Sequence, residues 1–383
     1  MNVGLFYRGW GDPAVAAFLY PLTNGAVELL DGFGDETRHH WPESFKITDG
    51  DHCFHFSRNR DELNYCDVRL ALGSADRVAK EDLDVANEFD WFVLAKTDGE
   101  AGPNFPHEEF LNHYPNTILI SSHLVPGLEN HPRMIVDRAI NLFYFYNVFG
   151  FYWLNYYPTK EKQNLIGVYN RYSTYKSYRT KLLDLMTEYS GQPYHCFGTQ
   201  KNWYTELTGK VFDKWFWQQM HMTSYTDYNT CAVNVVFESA IGSIREDLVN
   251  EKTLKAIIFQ KAKIFFIHFG TYQQLDWLHS KGFWFLNSEF YNPDTIDYPH
   301  HFPAAYGLHD PKSRPLVHSV CDTFKFLKKL KDELGTDTAV YNFLLEKYGH
   351  KLEQTSNAFE RLLTECEYKD RLWNMITTKK AEQ

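Results

Sequence analysis

The stretch of sequence that decides the fold lies between residues 233 and 270. It reads Val-Asn-Val-Val-Phe-Glu at 233–238, Val-Asn-Glu-Lys at 249–252 and Ile-Phe-Phe-Ile-His-Phe-Gly at 264–270. The first and last runs are short and almost wholly apolar, which is typical of buried strands in a parallel sheet. Asn250 is a good helix N-cap, and the segment after it has helical spacing. We therefore expect a β-α-β unit whose helix begins at Asn250.

Short apolar runs alternate with helical segments on both sides of this unit, as in an open parallel sheet. Further strands are expected at residues 3–7, 91–95, 117–120, 165–169 and 194–197. A chain of 383 residues is too long for one compact core. We expect an α/β protein with two Rossmann-like domains facing a cleft, at residues 1–157 and 158–320, and a helical C-terminal tail at 321–383.

Charge is distributed unevenly along the chain. Residues 1–130 carry 22 acidic and 9 basic side chains, a balance of −13, and the net charge of −10 leaves +3 for the remainder. An acidic N-terminal part repels a phosphate backbone, which argues against nucleic acid as the bulk partner.

The cysteine pattern and the hydropathy indicate a cytoplasmic protein. The six cysteines are scattered without a Cys-x-x-Cys pair, which suits a reducing compartment. No apolar run has the length of a membrane span, and the N-terminus lacks the basic and apolar regions of a signal peptide. We expect no membrane span and a cytoplasmic location, which for a viral protein means the host cytoplasm.

Polar residues at the ends of the predicted strand and helix suit a nucleotide diphosphate. Glu238 ends a strand, and ligands of open parallel sheets bind beyond the carboxyl ends of strands. Glu251 and Lys252 would lie in the first helical turn after Asn250, where N–H groups and the positive end of the helix dipole attract phosphate. Lys252 adds a full positive charge, and the Glu251 carboxylate can accept hydrogen bonds from two ribose hydroxyls.

The same residues resemble the donor-site motifs of the α-1,3-fucosyltransferase family. Those motifs are a strand ending in Phe-Glu-Asn and a helix opening with Val-Thr-Glu-Lys; they stand here as Phe-Glu-Ser at 237–239 and Val-Asn-Glu-Lys at 249–252. The resemblance covers roughly residues 163–285. Asn250 replaces Thr without losing the cap, whereas the change from Asn to Ser leaves the role of Ser239 open.

The resemblance implies roles for individual residues. Glu251 would hold the ribose, while Lys252 and an upstream arginine would hold the diphosphate. That arginine is either Arg171, which directly follows a predicted strand, or Arg179, which lies over one turn into the next helix. The DNA β-glucosyltransferases of T-even phages are similar, with one arginine just after this strand and another shortly into the helix.

Both resemblances imply a glycosyltransferase of the GT-B type, which moves a sugar from a nucleotide diphosphate donor to a hydroxyl acceptor such as a glycan. No cofactor is expected besides this nucleotide-sugar co-substrate. One alternative acceptor is DNA with hydroxymethylated bases. Another alternative is a non-catalytic protein of the same fold that binds a nucleotide or a glycan.

An inverting transfer needs a general base for the acceptor hydroxyl. We expect this base in the first domain, because the carboxylates of the donor domain are assigned to the nucleotide. Asp98 and His123 are favoured since both follow predicted strands, and Asp12 and Glu100 are the next candidates.

The remaining polar clusters give no metal signature. Four histidines form a polar group without HExxH-type spacing: His39, His40, His52 and His55. The Asp-x-Asp triplets at 49–51 and 82–84 are expected to be turn or surface residues. We therefore expect no essential metal.

Overall fold

Contacts within a computed structural model divide the chain into two compact units. The first unit is Met1–Val148 together with Arg361–Gln383, and the second is Phe149–Glu360. No helix among the described residues is long and apolar enough to cross a membrane. The structure describes residues 1–7, 43–74, 87–96, 107–122, 127–128, 130–137, 139, 161–169, 195–197, 228–238, 249, 251–294, 314–365 and 367–381.

The first unit is built on a seven-stranded sheet of order β2-β3-β1-β4-β5-β6-β7. All neighbouring strands are parallel except β2 and β3, which form an antiparallel hairpin around Gly50, a residue with φ of 55°. The strands are β1 (Asn2–Phe6), β2 (Ser44–Asp49), β3 (His52–Ser57), β4 (Val68–Ser74), β5 (Trp91–Lys96), β6 (Thr117–Ser121) and β7 (Met134–Val136). A 3₁₀ turn (Arg60–Leu63) follows β3, and helix α1 (His107–His113) precedes β6.

The last helix of the chain packs on the first unit. The ring of Trp373 lies 4.9 Å from that of His52 and 5.9 Å from that of Phe54. The Arg371 guanidinium donates to the carbonyl of His131 over 3.5 Å. The chain therefore leaves the first unit, forms the second and returns to the first with its final helix.

The second unit contains a parallel sheet of order β11-β10-β8-β9. Its strands are β8 (Asn164–Tyr169), β9 (His195–Phe197), β10 (Cys231–Phe237) and β11 (Phe265–Phe269). The remaining helices in chain order are α2 (Glu251–Lys261), α3 (Tyr272–Ser280), α4 (Arg314–Leu334), α5 (Asp337–Thr364) and α6 (Glu367–Ala381), with a 3₁₀ turn (Leu286–Phe290) after α3. Every residue of β10 and β11 is buried, since helices α4 and α5 share one core with the sheet.

Most strands predicted from apolar runs are confirmed, and the α/β class is confirmed with them. The hairpin β2–β3 and strand β4 went unpredicted. Residues 134–136 form the edge strand β7, which was also not among the predicted strands. The predicted domain boundaries stay predictions, because residues 141–160 and 295–313 lie outside the described part of the chain.

Candidate functional site

The candidate site lies at the carboxyl end of β10 in the second unit. β8 pairs with β9 on one side and with β10 on the other. The next two strands in the chain therefore lie on opposite sides of β8, and the strand order reverses there. In open parallel sheets the carboxyl ends of strands at such a point are where ligands bind. Glu238 directly follows β10, and its backbone N–H donates to the carbonyl of Phe269 over 2.9 Å. The predicted position of Glu238 at a strand end is confirmed.

Helix α2 begins where the cap at Asn250 predicted. Glu251 and Lys252 occupy its first two positions, and the Lys252 side chain is half-buried. The other predicted site residues lie outside the described residues and their roles stay predictions: Asn250, Arg171, Arg179, Asp98 and His123.

Glu238 is linked to two other buried side chains by hydrogen bonds. Glu238, Thr253 and His268 are each completely buried. The Thr253 hydroxyl donates to Oε1 of Glu238. Nε2 of His268 lies 3.0 Å from the same Thr253 oxygen. Because the one hydroxyl hydrogen of Thr253 is given to the carboxylate, the threonine oxygen accepts, and Nε2 of His268 carries the ring proton.

His268 is neutral at any pH at which the protein would act. Burial, and after it the nearby His279, lowers the pKa of His268 to about 3. Its Nδ1 atom has no hydrogen-bond partner within the described residues. A neutral imidazole with its proton on Nε2 therefore donates to Thr253, which in turn donates to Glu238.

A second set of bonds fixes the backbone around His268. The Asn287 side chain accepts from the His268 N–H over 2.9 Å and donates to the His268 carbonyl over 3.1 Å. Gly270 directly follows β11, and a Cβ atom there would lie 2.2 Å from Oε1 of Gln274. Thr271 caps α3 in a capping box with Gln274.

The structure gives Glu238 and Lys252 different surroundings, although the sequence assigned both to one ligand site. Glu238 is completely buried and holds the third residue of α2, so a ligand would reach it only if the covering residues moved. Lys252, one residue before Thr253, is partly exposed. The first turn of α2 thus offers a cation and backbone N–H groups near the strand ends, which suit an anionic ligand.

Sequence reasoning missed Thr253 and His268. The available signals were a threonine at the third helical position and a histidine inside an otherwise apolar strand. Neither signal identifies its partner, because Thr253 is 15 residues from both Glu238 and His268 in the chain.

A second polar cluster lies on the first unit, at the β2–β3 edge of its sheet. Nε2 of His55 is 2.8 Å from the Ser44 hydroxyl, and Nδ1 is 2.8 Å from the Tyr65 hydroxyl. The Glu62 carboxylate lies 3.8 Å from Nε2 and accepts from the Ser57 hydroxyl over 2.9 Å.

The polar group of histidines expected from the sequence is divided in the structure. His55 belongs to the cluster at the β2–β3 edge, whereas His52 packs against Trp373. His39 and His40 lie outside the described residues. Among the described residues, no group of three or more His, Cys, Asp or Glu side chains is placed to hold a metal ion.

Comparison with known proteins adds no relative to this picture. The chain matches no protein-family model and no curated protein.

Proposed function

We propose that the chain is a nucleotide-sugar-dependent glycosyltransferase that moves a sugar from a nucleotide diphosphate donor to a hydroxyl of a glycan. In this proposal the two units are Rossmann-like domains of the GT-B type, which face each other across a cleft. The donor binds at the carboxyl ends of β8 and β10. Lys252 and the first-turn N–H groups of α2 hold the diphosphate, and Glu251 holds the ribose.

The observation that carries the proposal is the start of α2 beside the end of β10. Glu238 reaches from the strand end to Thr253 in the first turn of α2, so the helix start is fixed at the sheet edge where ligands bind. A fixed helix N-terminus presents its N–H groups without a further ordering cost, and anions bind such groups readily. Lys252 lies in that turn and supplies a charge of the opposite sign to a diphosphate.

Thermal stabilisation by a panel of nucleotide-sugars tests the proposal. A ligand at 100 times its Kd stabilises the folded state by about 2.7 kcal/mol. For a unit of roughly 200 residues, each kcal/mol raises the Tm by about 2–4 °C. We expect one nucleotide class to raise the Tm and to be hydrolysed slowly without an acceptor. Binding without turnover would favour a non-catalytic protein, and no shift with any nucleotide-sugar would contradict the proposal.

Replacing Lys252 tests the donor site itself. We expect Lys252→Ala to weaken the binding of the nucleoside diphosphate by roughly tenfold to a hundredfold, because a hydrogen bond to a charged group contributes about 1.5–3 kcal/mol. Binding of the nucleoside should change little. Lys261→Ala is the matched control, since it removes a lysine from the other end of α2, where it pairs with Glu360. Equal losses for nucleoside and diphosphate would show that Lys252 acts through folding.

A further inference from the structure

Strand β2 forms an outer edge of the sheet in the first unit, and the hydrogen bonds of its neighbour β3 show which way its backbone points. The Cys53 N–H donates to the Met1 carbonyl over 3.0 Å, and the Ser57 carbonyl accepts from the Tyr7 N–H over 3.2 Å. The backbone groups of residues 53, 55 and 57 therefore point toward β1. Those of the alternate residues 52, 54, 56 and 58 point toward β2.

The backbone groups of Ser44, Lys46 and Thr48 point away from the sheet. The Arg58 N–H donates to the Glu43 carbonyl over 2.9 Å, and the same alternation continues along the antiparallel pair. Residues 43, 45, 47 and 49 thus bond to β3, whereas each residue between them presents an N–H and a C=O outward. No residue that the structure describes makes a hydrogen bond to these outward groups, and all three residues are exposed.

Two other edge strands of the described sheets are less accessible. Met134 and Ile135 of β7, at the opposite edge of the same sheet, are buried. Every residue of β11, which ends the sheet of the second unit, is buried as well. β2 is therefore an edge whose unpaired backbone another strand can reach.

Charge at this edge opposes pairing with a second copy of the chain. Lys46 stands at the centre of the open stretch, and its ammonium lies 5.0 Å from the centre of the Tyr65 ring. A second copy that paired antiparallel with all three outward residues would place Lys46 opposite Lys46. Like charges directly opposite each other destabilise a sheet, and a lysine on an edge strand is a common device against such pairing. A carboxylate at that position would instead attract the ammonium.

The other face of β2 suits apolar neighbours. Ile47 is buried, and the half-buried Phe45 stacks on Phe56 with ring centroids 4.6 Å apart. Side chains of an added strand that lie beside residues 45 and 47 would extend this apolar face.

We propose that β2 is a docking edge for an extended segment of another protein in which apolar and acidic residues alternate. The segment adds an eighth strand to the sheet, and its backbone bonds to Ser44, Lys46 and Thr48. A carboxylate of the segment lies opposite Lys46, with apolar side chains beside Phe45 and Ile47. Backbone hydrogen bonds supply the affinity, and the carboxylate and the apolar side chains select the sequence.

Amide hydrogen exchange with a designed peptide tests the docking edge. The probe is acetylated and amidated Lys-Thr-Val-Glu-Val-Thr-Lys, which reads the same in both directions and so places its glutamate opposite Lys46 in either strand orientation. In the free protein, the amides of Ser44, Lys46 and Thr48 should exchange rapidly and those of Phe45 and Ile47 slowly. Peptide at about ten times its Kd should slow the three outward amides by about tenfold.

An exchange of charges tests the selection of a carboxylate. A peptide with lysine in place of its glutamate should bind roughly twofold to thirtyfold more weakly, because a cross-strand pair of opposite charges stabilises and a pair of like charges destabilises. Lys46→Glu should reverse this preference. Docking at β2 is refuted if the preference does not reverse, if protection appears at other amides, or if about 1 mM peptide protects none.

A proline variant with a matched control tests the backbone pairing. Thr48→Pro removes an outward N–H that makes no bond within the sheet, a change that edge strands tolerate, and should weaken the peptide by about threefold to tenfold. Thr48→Val keeps the N–H and should bind the peptide like the unaltered protein. Equal affinities of these two variants would exclude pairing through the backbone. Protection of the same amides without peptide, increasing with protein concentration, would assign the edge to a second copy and overturn the proposed partner.

Discussion

Replacement of Thr253 by valine should destabilise the second unit far more than the size of the change suggests. Valine keeps the shape of threonine but removes the one oxygen that joins Glu238 to His268. All three side chains are completely buried, so the carboxylate loses a donor and the Nε2–H of His268 loses its acceptor without any compensating water. A hydrogen bond to a charged group contributes about 1.5–3 kcal/mol, and a buried donor left unsatisfied costs about 1–3 kcal/mol, so the combined loss is roughly 3–5 kcal/mol.

This free energy corresponds to a Tm lower by roughly 6–20 °C in a unit of this size. Urea unfolding followed by hydrogen exchange of the β10 and β11 amides would measure it for the second unit alone. Thr253→Ser is the control, because it keeps the hydroxyl and loses one methyl group at a cost of about 1 kcal/mol. The reasoning fails if Thr253→Val costs no more than Thr253→Ser.

A double-mutant cycle identifies the partner of Thr253. In a Glu238→Gln background the charge is gone, so Thr253→Val should cost less there than in the unaltered protein. Additive costs would show that the Thr253 hydroxyl stabilises the fold through some group other than Glu238.

Two further predictions concern buried groups of the second unit. Lys162 is buried and donates to the Asn229 carbonyl over 2.6 Å, and burial lowers its pKa to about 8 from an ordinary 10.5. Because the unfolded chain keeps this proton to a higher pH, the free energy of unfolding should rise as the pH increases from 8 toward 10. The rise should amount to about 3 kcal/mol over the full interval to pH 10.5. Urea titrations at each pH measure it, and Lys162→Met should abolish it. Gly270→Ala should destabilise by about 1–3 kcal/mol, because the new Cβ would meet Gln274 at 2.2 Å and His268 at 2.6 Å; a melting curve unchanged from the unaltered protein would contradict this.

The sequence predicts well those elements that carry their own signal. β10 and β11 are short runs buried along their whole length, and such runs are recognisable without knowledge of their neighbours. The cap at Thr271 and the glycine after α3, Gly282 with φ of 87°, are likewise local features.

The hairpin β2–β3 shows why other elements escape prediction. Its first strand alternates polar and apolar residues, Ser-Phe-Lys-Ile-Thr-Asp, and an Asp-Gly-Asp turn follows. Both features favour a hairpin, but a search for continuous apolar runs overlooks an edge strand with one exposed face. The triplet at 49–51 was expected to consist of turn or surface residues. Gly50 and Asp51 do form the turn between the two strands, whereas Asp49 is the last residue of β2.

Side-chain partners are the part of the site that no local pattern can supply. Glu238 becomes a neighbour of Thr253 only because α2 packs back on β10, and His268 joins them from the next strand. The sequence assigned Glu238 and Lys252 to one ligand, since both lie at strand or helix ends on the same edge. Packing gives them different surroundings: the carboxylate is enclosed and holds the helix, whereas the lysine is partly exposed in the same turn.

This difference predicts that removing the charge of Glu238 affects mainly folding, whereas removing the charge of Lys252 affects mainly ligand binding. Glu238→Gln should lower the Tm and weaken all ligands alike through the loss of a fixed helix start. Lys252→Ala should leave the Tm nearly unchanged and weaken diphosphates selectively, because a partly exposed lysine contributes little to folding and acts on an anion directly. The two phenotypes can be compared in one experiment by measuring melting temperature and diphosphate affinity for both variants. If Glu238→Gln instead spares the Tm and loses only diphosphate binding, then Glu238 reaches the ligand, and the buried chain through Thr253 opens when the ligand binds.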